Sequence, residues 1–225
     1  MNVFIDIETI PQQPEDETKA LIAETIKHPA TMSKQETIDD WHNGVGKYSG
    51  VKDKAIEEAY LKTSFDGSKG EIVSIAWAIE DEAITSSSRS LEESEKSILQ
   101  DFFSAVVLGK NGRVPYFIGH YISGFDLAFL FQRAVILGVN PCFDLHPHGR
   151  HGKDYFDNMI AWAGYKNSIS QDNLCRALGI EGKSDDIDGS QVWDFVKAGN
   201  IDRVSEYNRD DVNKVRQVYK RITFK

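Results

Sequence analysis

Residues 2–8, NVFIDIE, form a short run of mostly apolar, β-branched and aromatic residues broken by two acids, which predicts a β-strand. Side chains alternate along a strand, so Val3, Ile5 and Ile7 fall on one side and Phe4, Asp6 and Glu8 on the other. Pro11 and Pro14 end it because proline cannot donate to a ladder. Residues 15–27 then set Ala20, Leu21, Ile22, Ala23 and Ile26 among charges, a helical pattern. Ser33 with Glu36 fits a capping box for a second short helix, and residues 51–62, VKDKAIEEAYLK, predict a third. Residues 11–70 therefore read as a charged helical insertion after the first strand, within a single domain spanning 1–225. The pattern returns to strand at residues 71–80, EIVSIAWAIE, with 83–88 pairing back through the Asp81-Glu82 turn. Ile98, Leu99, Phe102, Phe103 and Val106 give residues 92–108 an amphipathic helical face. Residues 114–118 predict a short strand, and 123–137 a helix closed by Gly138, a residue suited to a left-handed cap. Residues 139–153 form an irregular loop. Short helices over 171–178 and 191–198 and a long one over 200–222 complete an α/β sheet with helices packed on it.

With 40% hydrophobic and 27% charged residues, the chain can build a core, so wholesale disorder is excluded. Cys142 and Cys175 are too few for a disulfide framework and too far apart for a zinc motif; they predict two reduced, buried thiols in a cytoplasmic protein. No apolar run approaches the roughly 20 residues of a membrane span, and no leader is visible, so no membrane partner is expected. The net charge of −9 argues against coating nucleic acid by bulk charge. The acidity is uneven, however. Residues 1–100 hold 10 Lys+Arg and 20 Asp+Glu, which leaves 16 and 15 for residues 101–225. A groove gripping a few nucleotides could still be built from the second part.

Asp6 and Glu8 leave one face of a largely apolar strand. Unpaired, they would repel each other and lose hydration. A divalent cation removes both penalties, and hard oxygen ligands select Mg²⁺ or Mn²⁺. The plainer alternative is the wet end of an edge strand. In GHYISGFDLAFL, residues 119–130, Asp126 sits just inside a helix that follows an apolar strand. Ser123 and Asp126 also fit a capping box. That does not explain why Gly119, His120, Gly124 and Phe125 crowd the same turn, where open α/β sheets place their sites. In the last helix Val204, Tyr207, Asp211, Val215, Val218 and Ile222 recur at three- and four-residue steps, so Asp211 falls inside the apolar stripe. Asp210 instead joins Glu206, Lys214, Gln217 and Arg221 on the polar face, where it can pair with Lys214. Asp6, Glu8, Asp126 and Asp211 could converge on two divalent ions about 4 Å apart, an arrangement suited to in-line displacement at phosphorus. Tyr207, four residues before Asp211, can orient water or share its proton. His146, His148, Arg150, His151 and Lys153 read as a solvated basic loop, a phosphate-contacting lip or a transition-metal site. Asp157 is a candidate fifth acid.

Three motifs carry a family resemblance. FIDIET resembles the first motif of the DEDD superfamily of 3′–5′ exonucleases, GHYISGFD its second, and YNRDD its third in the tyrosine (DEDDy) form. The likeness is closest to the proofreading domain of family-B DNA polymerases and its stand-alone relatives, and leaves residues 11–70 outside. It implies a ribonuclease-H-like fold with a mixed five-stranded sheet. It implies two-metal hydrolysis of terminal phosphodiesters, releasing nucleoside 5′-monophosphates from a single-stranded or frayed DNA 3′ end. Asp6, Glu8, Asp126 and Asp211 would hold two divalent cations, and Tyr207 would orient the nucleophilic water. Thr9, His120 and Phe125 would contact substrate, Thr9 at the terminal sugar and Phe125 against the terminal base. One residue departs from the pattern: Tyr121 stands where family-B-like proteins often carry Asn. The alternatives are an exoribonuclease trimming short RNA 3′ ends, or an inactive module of the same fold that binds nucleic acid or protein.

Overall fold

The computed structural model of the protein describes residues 1–182 and 187–225. The chain forms two compact units, Met1–Thr9 joined with Ile72–Lys225, and Ile10–Glu71. The second unit holds three helices, α1 (Glu15–Thr25), α2 (Gln35–Asn43) and α3 (Val51–Leu61). Trp41 and Tyr60 fill its interior. Lys19 bridges Glu15 and Glu57, and Thr63 accepts the Gln12 N–H at 2.9 Å. Ser33 does not cap α2. Lys34 is the residue before the helix, with no side-chain cap, so that start rests on packing.

The first unit is built on five strands: β1 (Asn2–Ile10), β2 (Glu71–Ile79), β3 (Thr85–Ser88), β4 (Tyr116–Gly119) and β5 (Tyr155–Asp157). Their order across the sheet is β3-β2-β1-β4-β5. β1 pairs parallel with β4, and β4 with β5; β2 and β3 are antiparallel. The Glu80 N–H, just past β2, donates to the Asn2 carbonyl at the start of β1 (3.0 Å), so those neighbours also run in opposite directions. This mixed sheet is flanked by α4 (Glu95–Lys110), α5 (Asp126–Leu137), α6 (Asn158–Ala163), α7 (Gln171–Leu178), α8 (Val192–Lys197) and α9 (Ile201–Ile222). It is the ribonuclease-H-like architecture. β5 and α6 are too short to show as periodic patterns, and α4 starts three residues later than its pattern suggests, behind a Ser94 cap.

The two faces of the sheet bury different things. Val3, Ile5 and Ile7 of β1 and Ile75, Trp77 and Ile79 of β2 pack into one cluster with Ile98, Phe102 and Val106 of α4 and Leu127 and Leu130 of α5. Phe4, Ala76, Ala78 and Ile118 face the other way and pack on Val212, Val215 and Tyr219 of α9. Strand alternation thus assigns the even-numbered residues of β1 to the α9 side. Beneath α4, Glu95 and Arg133 form a nearly buried ion pair with contacts of 2.9 and 2.5 Å, and Glu95 also accepts the Ile72 N–H (2.8 Å). Among the described residues no helix is long and apolar enough to cross a membrane.

Candidate active site

Because Phe4 faces α9, so do Asp6 and Glu8, two and four residues on. The helix meets them with Asp211 inside its buried stripe. One carboxylate oxygen from each of Asp6, Glu8 and Asp211 lies within 4.8 Å of the other two. Among the described residues no second trio of His, Cys, Asp or Glu side chains gathers in this way. The His146–His151 loop therefore presents no transition-metal cluster; His151 packs instead on Tyr155 and Phe156.

Donors hold the acids in place. The Asn208 amide donates to Asp6 Oδ2 at 2.7 Å. Gln171 Nε2 donates to the Asp211 carboxylate (3.1 Å) and to its backbone carbonyl (3.2 Å). Lys214 Nζ lies 2.5 Å from Asp210 and 3.7 Å from Asp211. The expected Asp210–Lys214 pair exists, but Lys214 does not belong to the solvated face. Only 2% of it is exposed, because it stands three residues after Asp211, on the inward side of the helix. Tyr207, one turn before Asp211, is also buried. Its phenol is pushed well above the usual range, first by burial and then by the carboxylates of Asp211, Glu8 and Asp6. It stays protonated.

Asp126 is placed differently. It is the first residue of α5 and is buried, and its Oδ1 accepts the N–H of Ile7, between Asp6 and Glu8, at 3.2 Å. It is therefore tied to the same stretch of β1 without being one of the three clustered acids. Burial pushes its carboxyl up to about 7; the N–H groups of Asp126 and Ile7 oppose the shift, and Asp157 adds to it. The capping box expected at Ser123 and Asp126 does not form, since α5 begins after Phe125 without a side-chain cap. Ser123 donates to Asp157 instead (2.8 Å).

Asp157, by sequence no more than a candidate fifth acid, organises this turn. It is fully buried. Its Oδ1 accepts the N–H groups of Tyr121 (3.1 Å), Met159 (3.0 Å) and Ile160 (3.3 Å). Its Oδ2 accepts the Ser123 N–H (3.3 Å) and hydroxyl. It thereby caps α6 and pins the turn that leads to Asp126. The strand register sets this up, since Gly119 pairs with Asp157 across β4 and β5. Tyr121 takes φ = +60°, uncommon for a bulky side chain. Its ring packs over Gly124, where an added Cβ would come within 2.3 Å of it, so a larger residue there would displace the Tyr121 side chain. Of the proposed substrate contacts, Thr9 is half-buried, and His120 Nε2 meets the Ile169 carbonyl at 2.9 Å. The Phe125 ring packs partly on the core, 5.3 Å from Phe129.

The fold and the acidic centre define a ribonuclease-H-like domain of the polymerase-exonuclease type. Residues 59–224 match a family described as predicted 3′–5′ exonucleases related to the exonuclease domain of PolB, and the chain belongs to that family. No curated protein matches the sequence. Among solved structures, the family B DNA polymerase of the hyperthermophilic archaeon Pyrobaculum calidifontis is similar in fold, with a TM-score of 0.59 at 15% identity. The match covers 99% of this chain and 24% of that polymerase.

Proposed function

We propose that the protein is a metal-dependent 3′–5′ exonuclease that removes nucleoside 5′-monophosphates from single-stranded or frayed DNA ends, and that residues 1–225 form a single exonuclease domain with residues 11–70 as a helical insertion. The observation behind this reading is the gathering of Asp6, Glu8 and Asp211 within 4.8 Å. Three carboxylates this close repel one another unless a cation lies among them, and an all-oxygen donor set suits Mg²⁺ or Mn²⁺. Asp6, Glu8, Asp126 and Asp211 would hold two such ions. Bound there, the cations supply charge stabilisation at the attacking and leaving oxygens of a phosphodiester.

The remaining work falls to the chain. Tyr207 keeps its proton beside three carboxylates, so it orients the attacking water by hydrogen bonding and does not serve as the base. Phe125, at the mouth of α5, packs against the terminal base; Thr9 meets the terminal sugar, and His120 lines the same turn. Cys175 is buried as expected, whereas Cys142 is exposed; a reducing, cytoplasmic setting belongs to the same reading.

The test is digestion of end-labelled DNA and RNA of one sequence with Mn²⁺, with and without chelator. DNA should shorten from its 3′ end, release mononucleotides and stop with chelator. Asp211→Ala should abolish hydrolysis while the fold persists. Tyr207→Phe should slow it by less than the roughly 10²–10⁴-fold that loss of a general base costs. Faster digestion of RNA would move the substrate to RNA ends. Wild-type rates in Asp211→Ala would refute the nuclease assignment, and a wild-type protein inert with Mn²⁺ would favour a binding module.

A further inference from the structure

Asn208 lies on the buried side of α9 and has no exposed surface. A buried amide is costly unless its polar atoms are matched. Here the matching is directional. Ser88 of β3 donates to Ser74 of β2 (2.9 Å), and these two residues are direct partners in the strand register. Ser74 donates to Asn208 Oδ1 (2.8 Å), and Asn208 Nδ2 donates to Asp6 Oδ2 (2.7 Å). A carboxylate oxygen can only accept from the amide, so the nitrogen must face Asp6 and the carbonyl must face away. The carbonyl then needs a donor, which Ser74 supplies. Ser88 in turn directs the Ser74 hydroxyl.

We infer that Asn208 is a positioning residue for the metal centre, and that the Ser88–Ser74–Asn208 relay sets the orientation in which the Asp6 carboxylate meets a cation. This rests on the nuclease reading above. With Oδ2 engaged by the amide, the Asp6 carboxylate is held in one rotamer, which fixes the direction its oxygens present to an ion. Groups in this position, one bond behind a ligand, tune metal affinity by orienting the ligand. The relay spans β3, β2, α9 and β1, so it also ties the pairing of the sheet edge to the geometry of the acids.

The experiment is calorimetric Mn²⁺ titration of the full chain together with steady-state hydrolysis of end-labelled single-stranded DNA. It compares wild type, Asn208→Leu, which keeps the branched shape and removes both amide functions, and Ser74→Ala, which removes only the donor that orients the amide. Asn208→Leu should weaken Mn²⁺ binding by about 10- to 100-fold and lower kcat, leaving KM for DNA within about twofold. Ser74→Ala should shift the same quantities in the same direction, by less. A purely structural role would lower the melting temperature and leave the Mn²⁺ affinity of the folded protein unmoved. Unchanged affinity in Asn208→Leu, or in Ser74→Ala should Asn208→Leu not fold, overturns the inference and leaves the nuclease reading standing. Absence of Mn²⁺ binding by the wild type overturns both.

Discussion

The substitution Asp157→Asn tests how the second acidic motif is held. It preserves shape but converts one carboxylate oxygen into a donor. The carbonyl of the new side chain can keep the three N–H bonds now made to Oδ1, from Tyr121, Met159 and Ile160. Its NH₂ then occupies the place of Oδ2. There the Ser123 hydroxyl can turn and accept, but the Ser123 N–H, now 3.3 Å from an acceptor, faces a donor. Leaving that N–H unmatched costs about 1–3 kcal/mol, and the three remaining bonds weaken when their acceptor loses its charge. Relief from burying an ionised group offsets part of this. The balance is a destabilisation of about 2–4 kcal/mol. For a chain of this length that lowers the melting temperature on the order of 10 °C. Circular-dichroism melts should show this drop in chelator. Hydrolysis of single-stranded DNA should also fall at temperatures where the variant remains folded, because the turn from His120 to Phe125 aims Asp126. A variant that melts and cleaves like the wild type would refute the claim that Asp157 pins this turn.

Two further outcomes follow from buried charge. Arg133→Met strands Glu95 without its partner and should cost about 3–5 kcal/mol in denaturant titrations. Adding Glu95→Gln, whose carbonyl still accepts the Ile72 N–H, should recover part of that loss, and no recovery would mean the pair is not coupled. Asp126, pushed up to about 7, keeps its proton in the folded chain where the unfolded chain has lost it. In metal-free protein its contribution should therefore fall as pH rises between its ordinary value near 3.8 and about 7, by up to about 1.4 kcal/mol per pH unit. Unfolding measured from about pH 5 to 7 should show this slope in wild type and lose it in Asp126→Asn; parallel curves would count against a protonated Asp126.

The sheet frame and the acidic centre are legible in the sequence because both rest on simple periods. The two-residue alternation of β1 puts Asp6 and Glu8 together, and the three- and four-residue steps of α9 put Tyr207 and Asp211 in its stripe. Convergence of those two faces needs the sheet, which no local pattern states. What stays hidden lacks a period. β5 is three residues long, too short for alternation to register, and so Asp157 reads as an isolated acid. Lys214 reads as solvated by its charge, although its spacing from Asp211 places it inward. Asn208 lies beside that stripe, one residue after Tyr207, and no motif or spacing in the sequence singles it out. Both are polar residues whose burial is compensated by partners that a local pattern does not reveal, Asp6 for Asn208 and the paired acids for Lys214, and such compensation is visible only in three dimensions.

The even-numbered side of β1 leaves little freedom for length change. One residue added or lost between Phe4 and Asp6 would turn both acids into the aliphatic layer beneath α4 and α5 and bring isoleucine to α9 in their place. Natural variation in chain length should therefore be concentrated after Thr9, where this chain already makes a long departure before returning at Ile72, and should spare the strand itself.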